Sequence, residues 1–167
     1  MATVLVPKKT MVPIPQEDWA TCWRAGYRMM FQWAQKDQAG IENLLKWEIG
    51  EDAWNTCNQQ GLLRKYWGNA CDAYNMYGHS GRDATSYEYV RDMIANQGPV
   101  LFHYTRTQGI HTIVLDGYDD EYENIHIIDP WWDPGTAKAA STYGISFGAV
   151  NIGIKGSSGW AGVLSHW

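Results

Sequence analysis

The apolar period of this chain changes once, at Gly98-Pro99, and no other feature restricts its fold as much. Upstream, Cys22, Gly26, Met29, Met30 and Trp33 recur at helical spacing, and a second row runs through Trp23, Tyr27, Met30 and Ala34. A segment apolar on more than one face is a buried helix. The spacing predicts it over 22–35, with Thr21 as its N-cap. Two more helices are expected over 41–49 and 51–60, punctuated by Gly40, Gly50 and Gly61. Thr85-Ser86-Tyr87-Glu88 has the pattern of a capping box and opens a helix to about 96. The stretch 62–81 reads only as short pieces and turns, with His79 in a Gly-flanked turn.

Downstream of Pro99, β-rich runs at 100–104, 111–115 and 124–128 predict strands, and two more are expected near 145–154 and 160–166. Helices first and strands second, without βαβ alternation, give an α+β fold: a helical half packed on a mostly antiparallel sheet. At 167 residues this is one domain. It divides into an extended, proline-bearing arm (1–15), a helical half (16–97) and a β half (98–167).

Composition removes several function classes. Hydrophobic content of 45% and charged content of 19% describe a chain with a core, not a disordered one. A formal charge of −5 argues against a nucleic-acid surface, which needs clustered Lys and Arg. No run approaches the ~20 apolar residues of a membrane span. The start, MATVLVPKKTMVPIP, lacks the order of a secretory signal, so the chain is expected in the cytoplasm or delivered into a target cell by a route that reads no such signal. The acidic run 116–121 does not fit a 12-residue calcium loop and reads as a solvated hairpin tip. Three cysteines cannot all pair. Cys57 and Cys71 read as core, and their spacing with His79 matches no zinc motif. No cofactor or metal is expected.

Cys22 is different because it opens the buried helix, where free N–H groups and the helix dipole favour an anion. The dipole supplies only about 0.3–1 kcal/mol, less than one pKa unit. An ordinary thiol of pKa ~8.5 is a few per cent thiolate at pH 7, so a nucleophile needs an imidazolium beside it. His103 and His126 read as ordinary strand residues, and His79 and His166 lie in a turn and at the C-terminal end. His111 begins an apolar strand, so its ring can stand at the rim of the sheet, where a base meets substrate. A base needs an orienting acceptor. Asp129 closes the following strand, and a hairpin through 116–123 returns it beside His111.

The order Gln16, Cys22-Trp23, His111, Asp129-Pro130-Trp131 resembles the papain-like cysteine peptidases. The likeness is to their compact bacterial branch, which includes type III effector peptidases of plant pathogens and peptidase domains of bacteriocin exporters. Gln16 precedes Cys22 by the spacing of papain's oxyanion-hole glutamine. Gly98-Pro99-Val100-Leu101, His111-Thr112-Ile113-Val114 and Gly117-Tyr118 follow the compact branch. The resemblance covers 12–37 and 85–133. Asp stands where papain has Asn, and the glycines flanking papain's cysteine are missing.

The resemblance implies a papain-like fold with Cys22 as nucleophile, His111 as proton carrier and Asp129 fixing its tautomer. It implies an oxyanion hole from the Gln16 amide and the Cys22 N–H. Trp131 would shield the His–Asp bond, Trp132 would sit at the rim, and Trp19, Ile110 and Trp131 would border the substrate. The activity implied is cleavage of a protein substrate by an effector or interbacterial toxin, with a cognate immunity protein in the producer. Deamidation, acyl transfer and leader-peptide cleavage use the same thioester chemistry.

Overall fold

A computed structural model describes residues 4–6, 11–80, 86–106, 109–131, 140–150 and 162–167. In the helical half, α1 spans Cys22–Trp33, α2 Gln38–Ile49 and α3 Glu51–Gln60. A short 3-10 turn, Arg64–Tyr66, then leads into α4, Trp67–Tyr74. The arm carries β1, Val4–Leu5; β2 is Tyr77–Ser80, and α5, Tyr87–Gln97, follows it. The β half holds β3, Val100–Arg106, β4, Gly109–Asp119, β5, Asn124–Asp129, β6, Ser141–Ser146, and β7, Val163–His166. The strands form one antiparallel sheet in the order β2-β7-β3-β4-β5-β6, with β1 on β4. The architecture is α+β.

Packing makes α1 the central helix. Trp23, Tyr27, Met29, Met30 and Phe31 are all buried. Each is worth about 1.5–3 kcal/mol on burial, far more than helix propensity, which Gly26 lowers by about 1 kcal/mol. Gly26 is needed for another reason. A Cβ there would lie 2.8 Å from Leu101 Cδ1 and 3.0 Å from Thr112 Cγ2, so its absence lets α1 settle directly on β3 and β4. The buried tryptophans satisfy their indole N–H groups on carbonyls, Trp23 on Cys57 and Trp67 on Leu62.

Several boundaries differ from the expected ones. Helix α2 starts at Gln38, before Gly40, because the Asp37 side chain accepts from the Gly40 N–H at 3.1 Å and caps the first turn. Helix α5 is capped by Ser86, which accepts from Tyr89 N at 3.1 Å, one residue later than the capping-box pattern. Thr21 makes no side-chain cap on α1; its hydroxyl turns back to Asp18 instead. His79 lies on β2, opposite Leu164 of β7, and not in a turn. The poorly read 62–81 stretch thus contains a helix and a strand. The strand expected over 145–154 is displaced: β6 ends at Ser146, and 147–150 are helical.

The β4–β5 hairpin is longer than expected and turns only at 120–123. Asp116 therefore lies in the sheet, fully buried, with His126 Nδ1 2.5 Å from its Oδ1. The solvated tip begins past it, because a bulge between Leu115 and Gly117 sends the chain onward in register with β5. The arm explains the glycine of Gly117-Tyr118. Val4 and Leu5 pair with Tyr118 and Gly117, and a Cβ on Gly117 would lie 2.6 Å from the Val4 carbonyl oxygen.

Candidate active site

The loop from Gln16 to Cys22 is closed by local hydrogen bonds. The Asp18 carbonyl accepts from Gln16 Nε2 at 2.8 Å, from Thr21 Oγ1 at 3.0 Å and from Thr21 N at 3.1 Å. Asp18 N donates to Thr21 Oγ1 at 2.9 Å, and Trp19 N to Asp18 Oδ1 at 2.6 Å. Outside this turn, Glu17 pairs with Arg28 of α1 at 2.5 Å, which itself holds Glu42 of α2 at 2.6 Å. The Asp18-x-x-Thr21 spacing is a side-chain turn signal that could have been read in the sequence.

Two links join this loop to the sheet. Gln16 N donates to the Pro130 carbonyl at 2.8 Å, beside Asp129. Cys22 Sγ lies 4.0 Å from the Ile110 carbonyl oxygen at the start of β4. His111 is next along β4, Cys22 is among the groups that favour protonation of its ring, and its Nε2 lies 2.8 Å from Asp129 Oδ1. With Nε2 on the carboxylate, Nδ1 is the ring nitrogen left for sulfur. The β4–β5 ladder begins at Val114↔Ile128, so Asp129 reaches His111 diagonally past its end, not from the opposite position. Asp129 Oδ1 also accepts from Trp131 N at 2.9 Å.

His111 is more enclosed than a rim position implies, at 1% exposure. The Tyr104 ring meets it edge-on at 5.7 Å and Trp131 at 6.2 Å. Tyr104 drew no attention in the sequence, since its role follows only from the register Tyr104↔His111. Burial opposes protonation of His111. Hydrogen bonds and charge attraction from Asp129 and Cys22 outweigh it, and the pKa is raised above the ordinary 6.5.

Gln16 and Cys22 are each 2% exposed, whereas Trp19, at 64%, and Trp131, at 42%, stand open to solvent. Ile110 is half-buried and approaches sulfur through its backbone carbonyl. Trp132 lies outside the described residues. All three cysteines are free thiols. Among the described residues, no group of three or more His, Cys, Asp or Glu side chains is arranged to hold a metal ion. Among them, too, no helix is long and apolar enough to cross a membrane.

A helical half with a cysteine at the start of its buried helix, packed on an antiparallel sheet that presents a His–Asp pair, has the architecture of a papain-like cysteine peptidase. The model of the family described as papain-like cysteine protease AvrRpt2 matches residues 6–146. The chain belongs to that family, and it is a cysteine protease acting on protein. No curated protein matches it.

Proposed function

We propose that the protein is a cysteine endopeptidase whose nucleophile is Cys22, working with His111, Asp129 and Gln16. The observation that carries this reading is the placement of Cys22 Sγ 4.0 Å from the carbonyl oxygen of Ile110, the residue before His111, whose Nε2 lies 2.8 Å from Asp129 Oδ1, so that the three groups meet where the two halves of the fold join. For attack, the proton of the Cys22 thiol passes to His111 Nδ1, while the Asp129 carboxylate accepts from Nε2–H. The Cys22 sulfur attacks the scissile carbonyl carbon, and the C=O π electrons move onto oxygen. Preorganised donors aimed at developing charge are the largest stabilising element in such steps. The Cys22 N–H, unused within the first helical turn, is one such donor. Gln16 Nε2 is the other: one N–H is held by Asp18, which leaves its second for the oxyanion.

Collapse of the intermediate breaks the C–N bond as His111 protonates the leaving amine. Water, deprotonated by His111, then cleaves the thioester and frees the new C-terminal carboxylate. Trp131 and Trp19, exposed beside these groups, offer aromatic surface to the flanking substrate residues.

The setting we propose is that of an effector acting inside a target cell, with a cognate immunity protein covering the cleft in the producing cell. The test is N-terminal mapping of a bacterial lysate exposed to wild type and to Cys22→Ala. New N-termini confined to wild type support endopeptidase action. Intact substrate chains carrying only the small mass gain of deamidation, or an adduct, would replace it with the other thioester outcomes. Equal cleavage by both proteins would remove Cys22 from the mechanism. For the setting, wild type but not Cys22→Ala should arrest a host that lacks the immunity protein.

A further inference from the structure

Between α1 and the sheet lies a buried histidine that the chemistry above does not use. His103 on β3 is 1% exposed and bonded at both ring nitrogens. Its Nε2 lies 3.0 Å from the Tyr27 hydroxyl and its Nδ1 2.8 Å from Thr112 Oγ1. The Trp67 indole covers its face at 5.5 Å, with 17° between the ring planes. Burial pushes its pKa down to about 3, and burial likewise pushes the Tyr27 phenol up. The Tyr27–His103–Thr112 set therefore carries no charge at working pH. A neutral imidazole has one N–H and one lone pair, so it donates to one hydroxyl and accepts from the other.

What matters is where the two hydroxyls sit. Tyr27 is on α1, little more than a turn past Cys22, and Thr112 directly follows His111 on β4. His103 is thus a polar bridge between the helix that carries the sulfur and the strand that carries the ring. Around Gly26 the contact between α1 and the sheet is apolar packing, with Leu101 and Thr112 facing it. Such packing is non-directional and sets distance but not angle. Buried hydrogen bonds are directional and costly to leave unmade, so they oppose rotation or sliding of α1 against β4.

We infer that His103 is a positioning residue, which, through Tyr27 and Thr112, holds the Cys22 helix in register with His111. The inference rests on the proposed roles of Cys22 and His111. Displacement of reacting groups by about 1 Å costs on the order of 10²-fold in rate, and that is the scale of effect expected here.

The test must separate position from stability, because single changes leave a buried polar group without a partner. The triple variant Tyr27→Phe/His103→Leu/Thr112→Val removes every member of the bridge and keeps the site apolar and filled. Replacing all partners together can be neutral for stability. We expect it to melt within a few degrees of wild type while kcat falls about 10- to 100-fold with KM little changed. Alkylation of Cys22 by iodoacetamide, followed by peptide mass mapping against pH, reads the thiol–imidazole pair without any substrate. Wild type should react below neutral pH and the triple variant should lose that acidic reactivity. A single Tyr27→Phe, which keeps the ring packing, should fall between the two. A folded triple variant with wild-type kcat and an unchanged alkylation profile would overturn the inference. Absence of acidic reactivity in wild type itself would instead remove the Cys22–His111 pair, and this inference with it. If the triple variant fails to fold, Tyr27→Phe decides: wild-type kcat and profile in that variant overturn the proposal.

Discussion

At the scale of single residues, the geometry assigns different costs to different side chains. Gln16 is fixed by its own loop, so on the proposed roles its truncation removes one oxyanion donor and leaves the nucleophile in place. Gln16→Ala should lower kcat by ~10²–10³-fold with activity still measurable, and steady-state kinetics on a cleaved peptide reads this directly. Asp129 acts on His111 through charge as well as orientation. Because the raised imidazole pKa extends the protonated form to higher pH, the alkaline limb of kcat/KM belongs above the ordinary value of ~6.5. Asp129→Asn keeps an acceptor but removes the charge. It should move that limb to lower pH and cost less than the ~10²–10⁴-fold that acid–base catalysis contributes. An unmoved limb would assign the carboxylate an orienting role alone.

At the scale of elements, α1 and the loop before it are set by steric and polar features that act separately. Gly26→Ala adds helix propensity worth about 1 kcal/mol, yet it places a methyl 2.8 Å from Leu101. Overpacking of a filled core costs about 1–3 kcal/mol, so a net loss of about 1 kcal/mol is expected. Activity should fall further than stability, since α1 is pushed away from β4; urea midpoints and kcat/KM measured together show whether it does. In the loop, the Thr21 hydroxyl both donates to and accepts from Asp18. Thr21→Val should reduce kcat with little change in KM, and Thr21→Ser should restore it. Loss in Thr21→Ser with wild-type kcat in Thr21→Val would point to the methyl group and not the hydroxyl.

For the whole molecule, two buried histidines give stability opposite pH slopes. His103 has its folded pKa near 3, and the unfolded chain binds that proton near ~6.5. Stability therefore falls as pH drops below ~6.5, by at most about 1.4 kcal/mol per pH unit. His111 has a raised folded pKa, so its contribution is complete below ~6.5 and is lost as pH rises through the folded value. Glu17, held low chiefly by its hydrogen bond to Arg28, gives up its contribution only in stronger acid. Denaturation midpoints from about pH 4 to 8 should trace a maximum near 6.5. His103→Leu should flatten the acid side. A profile that only rises with pH would contradict the His111 assignment, and one that only falls would contradict that of His103.

The sequence by itself determined the α+β class, the buried helix from Cys22 and the His–Asp hairpin. Each depends on periodicity or on a short connection, and such local physics can be read along a chain. Family membership was legible for a similar reason, since the spacing of Gln16, Cys22-Trp23, His111 and Asp129 lies in the order of residues. What the tertiary structure alone decided is which polar groups meet inside. His103 read as an ordinary strand residue because nothing local joins it to Tyr27, and Asp116 read as solvated because its run is acidic. Burial and cross-strand register are properties of the assembled layers. A one-residue change of register would turn either side chain to the opposite face of the sheet.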